Sequence, residues 1–150
     1  MIMIRKNMIL GFAAILLAAT SVTYAAIDSK PIKQVDQVKG KEIVIEGKGN
    51  KRTIKVTAND VVKIEGLENA VTIEGSFAKL EIEGASNSVN LDQVKKVSIE
   101  GMGNKVNANN VDIVHVEGTQ NHVHYKSSKN KTGKADTKIE GVDNMVMKIK

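Results

Sequence analysis

From residue 43 onward apolar and polar residues alternate along the chain, and one short phrase interrupts the alternation again and again. The unit [Ile/Val]-Glu-Gly-x-x-Asn occurs at 45–50, 64–69, 82–87, 99–104, 116–121 and 139–144. Two positions before its first residue stand Ile43, Val62, Leu80, Val97 and Val114, and two positions after its Asn stand Val71, Val89, Val106, Val123 and Val146. A period of two is the signature of a strand with one buried face. Each unit therefore predicts two short strands. Phe77, Val94 and Val111, five positions before the next first residue, predict a third side to each turn of chain.

The glycines of the phrase, Gly47, Gly66, Gly84, Gly101, Gly118 and Gly141, are 19, 18, 17, 17 and 23 residues apart, with an extra Ile73-Glu74-Gly75 inside the second unit. Two architectures share such a period. In a β-solenoid each unit is one coil, and equivalent residues stack at the ~4.8 Å strand spacing. In an antiparallel meander each unit is a hairpin, with Gly101-Met102-Gly103-Asn104 serving as a turn. Composition separates them: beyond residue 25 the only aromatics are Phe77 and Tyr125. A sandwich core usually needs larger side chains, whereas a coil packs Val and Ile on copies of themselves. The expected fold is all-β, a parallel β-helix-like solenoid of about six coils of 17–19 residues.

In such a coil Gly gives the backbone freedom a corner requires. An inward Asn can bond the turn backbone and its own copies in neighbouring coils. Asn50, Asn69, Asn87, Asn104, Asn121 and Asn144 are the expected ladder. The repeated "IEGxxNxV" phrase resembles a bacterial secreted family, domain of unknown function 3060, over most of 43–150. The resemblance brings no catalytic residues with it, and the insertion at 126–137 departs from the regular spacing.

The start of the chain reads differently. Met1–Asn7 carries Arg5 and Lys6 and no acid, Met8–Ala19 is apolar, and Thr23-Tyr24-Ala25 offers small residues to a signal peptidase. About a dozen apolar residues fall short of the ~20 that span a bilayer as a helix. Residues 1–25 are thus expected to be a cleaved signal helix, 26–42 a linker or cap, and 43–150 the repeat domain, located in the periplasm or secreted. Membrane contact is expected only through the signal before cleavage.

With no cysteine in the chain, lipidation at a signal Cys, disulfides, thiol catalysis and Cys-type metal sites are all excluded. Of the 22 basic residues two lie in the leader; the remaining 20 against 17 acidic ones give a net charge of +3, too mild to imply a nucleic-acid partner.

Candidate chemistry is sparse. Glu46, Glu65, Glu83, Glu100, Glu117 and Glu140 should form an outward row of like charges, each neighbouring pair costing on the order of 0.8 kcal/mol in water at ~5 Å. Lys63, Lys138 and His115 beside it are candidates to offset the charge. Calcium on that row would need six to eight oxygens at ~2.4 Å, more than a flat row offers at one point. No phosphate loop or nucleophile elbow is present. A polysaccharide-cleaving β-helix would want aromatic platforms, for which Tyr125 alone is a candidate, and the expectation is a non-enzymatic structural or binding protein. The loop 126–137, with Lys126, Lys129, Lys131 and Lys134, reads as a solvated, mobile excursion and a weaker candidate for anion binding.

Aligning the last two units on Asn121 and Asn144 sets His122 beside Met145 and His124 beside Met147, two imidazoles and two thioethers suited to Cu(I). A slip by one residue in the last strand would instead turn both methionines into the core. The final strand, "MVMKIK", is also expected to offer an open edge for self-association through the C-terminal coil.

Overall fold

The computed structural model describes residues 39–150; the expected signal helix at 1–25 and most of the linker at 26–42 lie outside that range. Nine strands follow one another: β1 (Glu42–Lys48), β2 (Lys51–Val56), β3 (Val61–Leu67), β4 (Ala70–Ala85), β5 (Ser88–Met102), β6 (Lys105–Thr119), β7 (His122–Ser127), β8 (Asp136–Val142) and β9 (Met145–Lys148). Every pairing is parallel and joins one coil to the next. This is the β-solenoid, and the meander is ruled out. Six copies of the phrase are separated by five turns of coil.

β1, β3, the second halves of β4, β5 and β6, and β8 stack on one side; β2, the first halves of the same long strands, β7 and β9 stack on another. The long strands run through the third side without a break. The central turns bury one residue in every apolar column, as in Val97, Ile99, Val106, Ala108 and Val111, all at most 4% exposed. Full burial of a Val or Ile contributes about 1.5–3 kcal/mol, so a few such residues per coil suffice without large aromatics. One of these columns, Ile54, Ile73, Leu91, Ala108 and Tyr125, lies four residues after each Asn. It continues the period of two beyond Val71, Val89, Val106 and Val123, which is the signal that reveals it. Tyr125, expected at the surface, is 4% exposed in this column and its hydroxyl accepts the Ala135 N–H at 3.2 Å. It offers no platform for a sugar.

The irregular spacings have local causes. The register of β4 on β5 shifts between Ile73 and Ser76. There Gly75, at φ 110°, holds the extra residue of an 18-residue turn and donates its N–H to Asp92 Oδ2 at 3.0 Å. The 19-residue turn carries a tight bend closed by Asp60, buried at 4% exposure. The loop that makes the last spacing 23 is tied down rather than loose. The Lys129 N–H and Ser128 hydroxyl both donate to Asp112 Oδ1, at 2.7 and 3.1 Å, and Asn130 Nδ2 donates to Asp112 O at 2.8 Å.

Candidate functional site

The recurring phrase builds one corner, six times. After the Glu the chain reaches Gly, whose φ lies between 100° and 141° in the six copies. A Cβ on Gly101 would sit 1.9 Å from the carbonyl oxygen of Gly84, and one on Gly118 would sit 1.9 Å from that of Gly101. The glycines are stacked so closely that no side chain fits between coils. Two residues later, immediately before the Asn, the backbone turns left-handed again, at Gly49, Glu68, Ser86, Gly103, Gln120 and Asp143, with φ of 55–70°. In the first five copies the N–H of this residue donates to the coil above, as from Gly103 to Thr119 O at 2.9 Å.

The Asn then turns inward, and Asn69, Asn87, Asn104 and Asn121 are all at most 1% exposed. Asn87 shows the pattern. Its Nδ2 donates to Gly66 O at 2.9 Å in the coil below and to Asn104 Oδ1 at 3.0 Å in the coil above. Its Oδ1 accepts from the backbone N and the Nδ2 of Asn69, both at 3.0 Å. An amide has two N–H donors and two acceptor lone pairs, and all four are used. Turning the amide over would set Nδ2 against a backbone N–H, so its orientation is fixed by the bonds themselves. The column runs from Asn50, which donates to Asn69, to Asn144, whose Nδ2 donates to Gly118 O and Glu140 O at 2.8 Å.

The glutamates stack in register on the outside: Glu46 beside Glu65, then Glu83, Glu100, Glu117 and Glu140. All six are exposed. The residues just before the motif's first position alternate in character, through Val44, Lys63, Glu81, Ser98, His115 and Lys138. Lys138 Nζ meets Glu140 Oε1 at 2.9 Å and so supplies positive charge at one end of the row. Its ammonium is held above the usual 10.5 by that hydrogen bond, then by the charge of Glu140. Lys63 turns instead to Glu42 at 3.4 Å and to Glu81 at 3.9 Å, and Glu42 is what raises its pKa. Lys79 pairs with Glu81 as well. Screening by water and salt offsets much of the remaining repulsion along this exposed row.

Asp60 was not a candidate in the sequence. Its Oδ1 accepts the Lys41 N–H at 2.8 Å, and its Oδ2 accepts the Thr57 N–H at 2.7 Å and the Thr57 hydroxyl at 3.0 Å. The backbone donors of Lys41 and Thr57 hold its carboxyl below the usual 3.8. These bonds close a bend, and a Thr-x-x-Asp spacing in the sequence is the trace they leave.

The two histidines and two methionines come together on one face. His122 pairs with Met145, Val123 with Val146 and His124 with Met147. Val146 packs against the core, so both methionines point outward and the slipped register is excluded. The two imidazole centroids are 6.4 Å apart, with ring planes at 42°. Among the described residues no group of three or more His, Cys, Asp or Glu is arranged to hold a metal; the His and Met patch is a different donor set. No helix among the described residues is long and apolar enough to cross a membrane.

The class of molecule is now defined: a parallel β-solenoid whose corners are made by stacked Gly and Asn. The profile of the family described as "Protein of unknown function (DUF3060)" matches residues 64–108 and, overlapping them, 82–137, and the repeats there are similar to that family. No curated protein and no solved structure matches the chain.

Proposed function

We infer that the protein is an exported, non-enzymatic solenoid that serves as a structural or binding module. The observation that carries this reading is the state of the repeated polar residues. The amides of Asn69, Asn87, Asn104 and Asn121 have every donor and acceptor engaged in holding one coil on the next. What recurs in this chain is used to make corners, which leaves the outward columns and the outer edge of the last coil for partners. Two open grooves on the described residues hold about 330 Å³, beside Arg52, Thr72 and Asn90, and about 260 Å³, beside Asn107 and Lys126. They lie at or below the small end of the roughly 300–1,000 Å³ typical of small-molecule sites, which favours surface binding over catalysis. Export is supported by the basic start, apolar run and small residues before Ala26.

Fractionation of expressing cells tests the reading. Protein released from the envelope or found in the medium should begin at Ala26 on N-terminal sequencing and should leave a panel of polysaccharides uncut. A chain that stays in the cytosol with Met1 in place overturns export; steady turnover of any polysaccharide overturns the non-enzymatic assignment.

A further inference from the structure

We propose that His122, His124, Met145 and Met147 form a binding site for a single Cu(I) ion on the outer face of the last two coils. Beyond residue 25 the chain has three histidines and three methionines, and four of these six lie on this patch. In-register parallel pairing sets the four side chains at the corners of a rectangle of roughly 4.8 by 6.7 Å. A metal bound through an imidazole nitrogen at about 2.0 Å lies roughly 3.2 Å from the ring centre, so two rings flanking one ion are up to about 6.4 Å apart. The observed 6.4 Å between His122 and His124 already meets that reach. Methionine, with three rotatable side-chain bonds, can lean its sulfur toward the gap from the neighbouring strand.

Two further observations point to a ligand and to its kind. His124 Nε2 is shielded from solvent and has no hydrogen-bond partner in the structure. A nitrogen so placed is costly to leave unmet, and a bound metal would satisfy it. On their other flank His122 and His124 face Lys105 and Asn107 of β6. No carboxylate stands in register with the four donors, so a dication would meet a lysine without charge compensation. A monovalent ion faces half that repulsion. Thioethers are soft ligands that select Cu(I), and imidazole accepts it equally well.

The test is competition for Cu(I) against a chromogenic chelator, using untagged protein as purified from the cell. Two variants accompany it: His122→Ala with His124→Ala, and Met145→Leu with Met147→Leu, the second of which keeps the apolar bulk so that lost ligands are distinguished from lost fold. The expected result is one copper per chain, held at least about tenfold more tightly than by either variant, with sulfur neighbours in the X-ray absorption spectrum of the wild-type complex. Equal affinity in all three proteins, no uptake by the wild type, or a preference for Zn(II) over Cu(I) overturns the site. The titration uses purified protein alone, so its outcome is independent of whether the chain is exported.

Discussion

At the scale of single residues, the corner makes two demands that look alike in sequence and differ in energy. Gly101 cannot carry a side chain because of what lies 1.9 Å away. Gly103, at φ 65°, would meet only Ser86 Oγ, at an ordinary 3.8 Å from its Cβ position, and is constrained by backbone conformation. Gly103→Ala should therefore cost only about 0.5–1 kcal/mol, the left-handed penalty of about 1–2 kcal/mol less about 0.4–1 kcal/mol of unfolded-chain entropy. The reverse holds for Gln120, which sits in the same conformation at φ 56°. Gln120→Gly relieves that penalty while giving back about 0.4–1 kcal/mol of unfolded-chain entropy, a net gain of about 0.5–1 kcal/mol. Urea denaturation of both variants reads the two signs; a stabilised Gly103→Ala would show that the conformation at this corner is wrong. Asn104→Asp tests the ladder without changing shape. A carboxylate there sets acceptors against Gly84 O and Asn121 Oδ1, where Asn104 now donates at 3.0 Å. The expected loss is at least about 3 kcal/mol, since one oxygen keeps the two donors of Asn87 while the other, carrying buried charge, faces two acceptors, and a denaturation midpoint like the wild type's would refute the bonding pattern. Asp60 sets a pH dependence. Its folded pKa lies below its unfolded one, so its stabilisation is present above about 3.8 and is lost as the pH falls further. Acid titration followed by circular dichroism should show Asp60→Asn with a shallower acid limb than the wild type; identical limbs would mean that these bonds do not survive in solution.

At the scale of the coil, stability comes from columns rather than from any single contact, and the columns are what the sequence makes legible. Val62, Leu80, Val97 and Val114 are fully buried where the period of two predicts, and so are Val89, Val106 and Val123. The column through Ile73, Leu91 and Ala108 was harder to see. Ile73 sits in a stray copy of the Ile-Glu-Gly phrase, and Tyr125 looks like a surface aromatic until its neighbours are known. Left-handed residues before each Asn were hidden because Glu68, Ser86, Gln120 and Asp143 share no chemistry, and only Gly49 and Gly103 hint at the conformation. The bond from Lys41 to Asp60 and the ties from the 126–137 loop to Asp112 were not legible at all, because they depend on which residues the coil brings together at distances of 16 or more in sequence. The register of the last strand was likewise undecidable from alternation alone, since "MVMKIK" reads equally well with either face inward. The test of the column is Val106→Asp. It places an unpaired charge at a position with no exposure, which costs at least about 3–5 kcal/mol against the roughly 5–15 kcal/mol available to a whole domain. Loss of a cooperative melting transition is expected, and an unchanged melting curve would contradict the inward register.

At the scale of the whole molecule, the last of the described coils has an open side. Ile139 continues the column of Ile45, Ile64, Ile82, Ile99 and Val116, which are at most 2% exposed, yet Ile139 is 45% exposed and Val142 is 59% exposed. β8 pairs with β6 on one edge, and among the described residues no strand pairs with the other. Such an edge invites another strand, and its charges favour a second copy of the same chain. An antiparallel β8–β8 pairing centred on Ile139 sets Lys138 opposite Glu140 of the other copy, twice by symmetry, and lays one Ile139 on the other to extend the core column. Centring on Lys138 or Glu140 instead opposes like charges, which disfavours those registers. A twofold arrangement of this kind is closed, so it gives dimers rather than filaments. Light scattering at rising concentration should therefore level off at twice the monomer mass. Lys138→Glu should shift the protein to monomer by setting a new carboxylate opposite Glu140 across the edge, and adding Glu140→Lys should restore the dimer with the charges exchanged. A monomer at every concentration would remove the interface. If instead Lys138→Glu leaves the dimer intact, the chains associate through some surface other than β8.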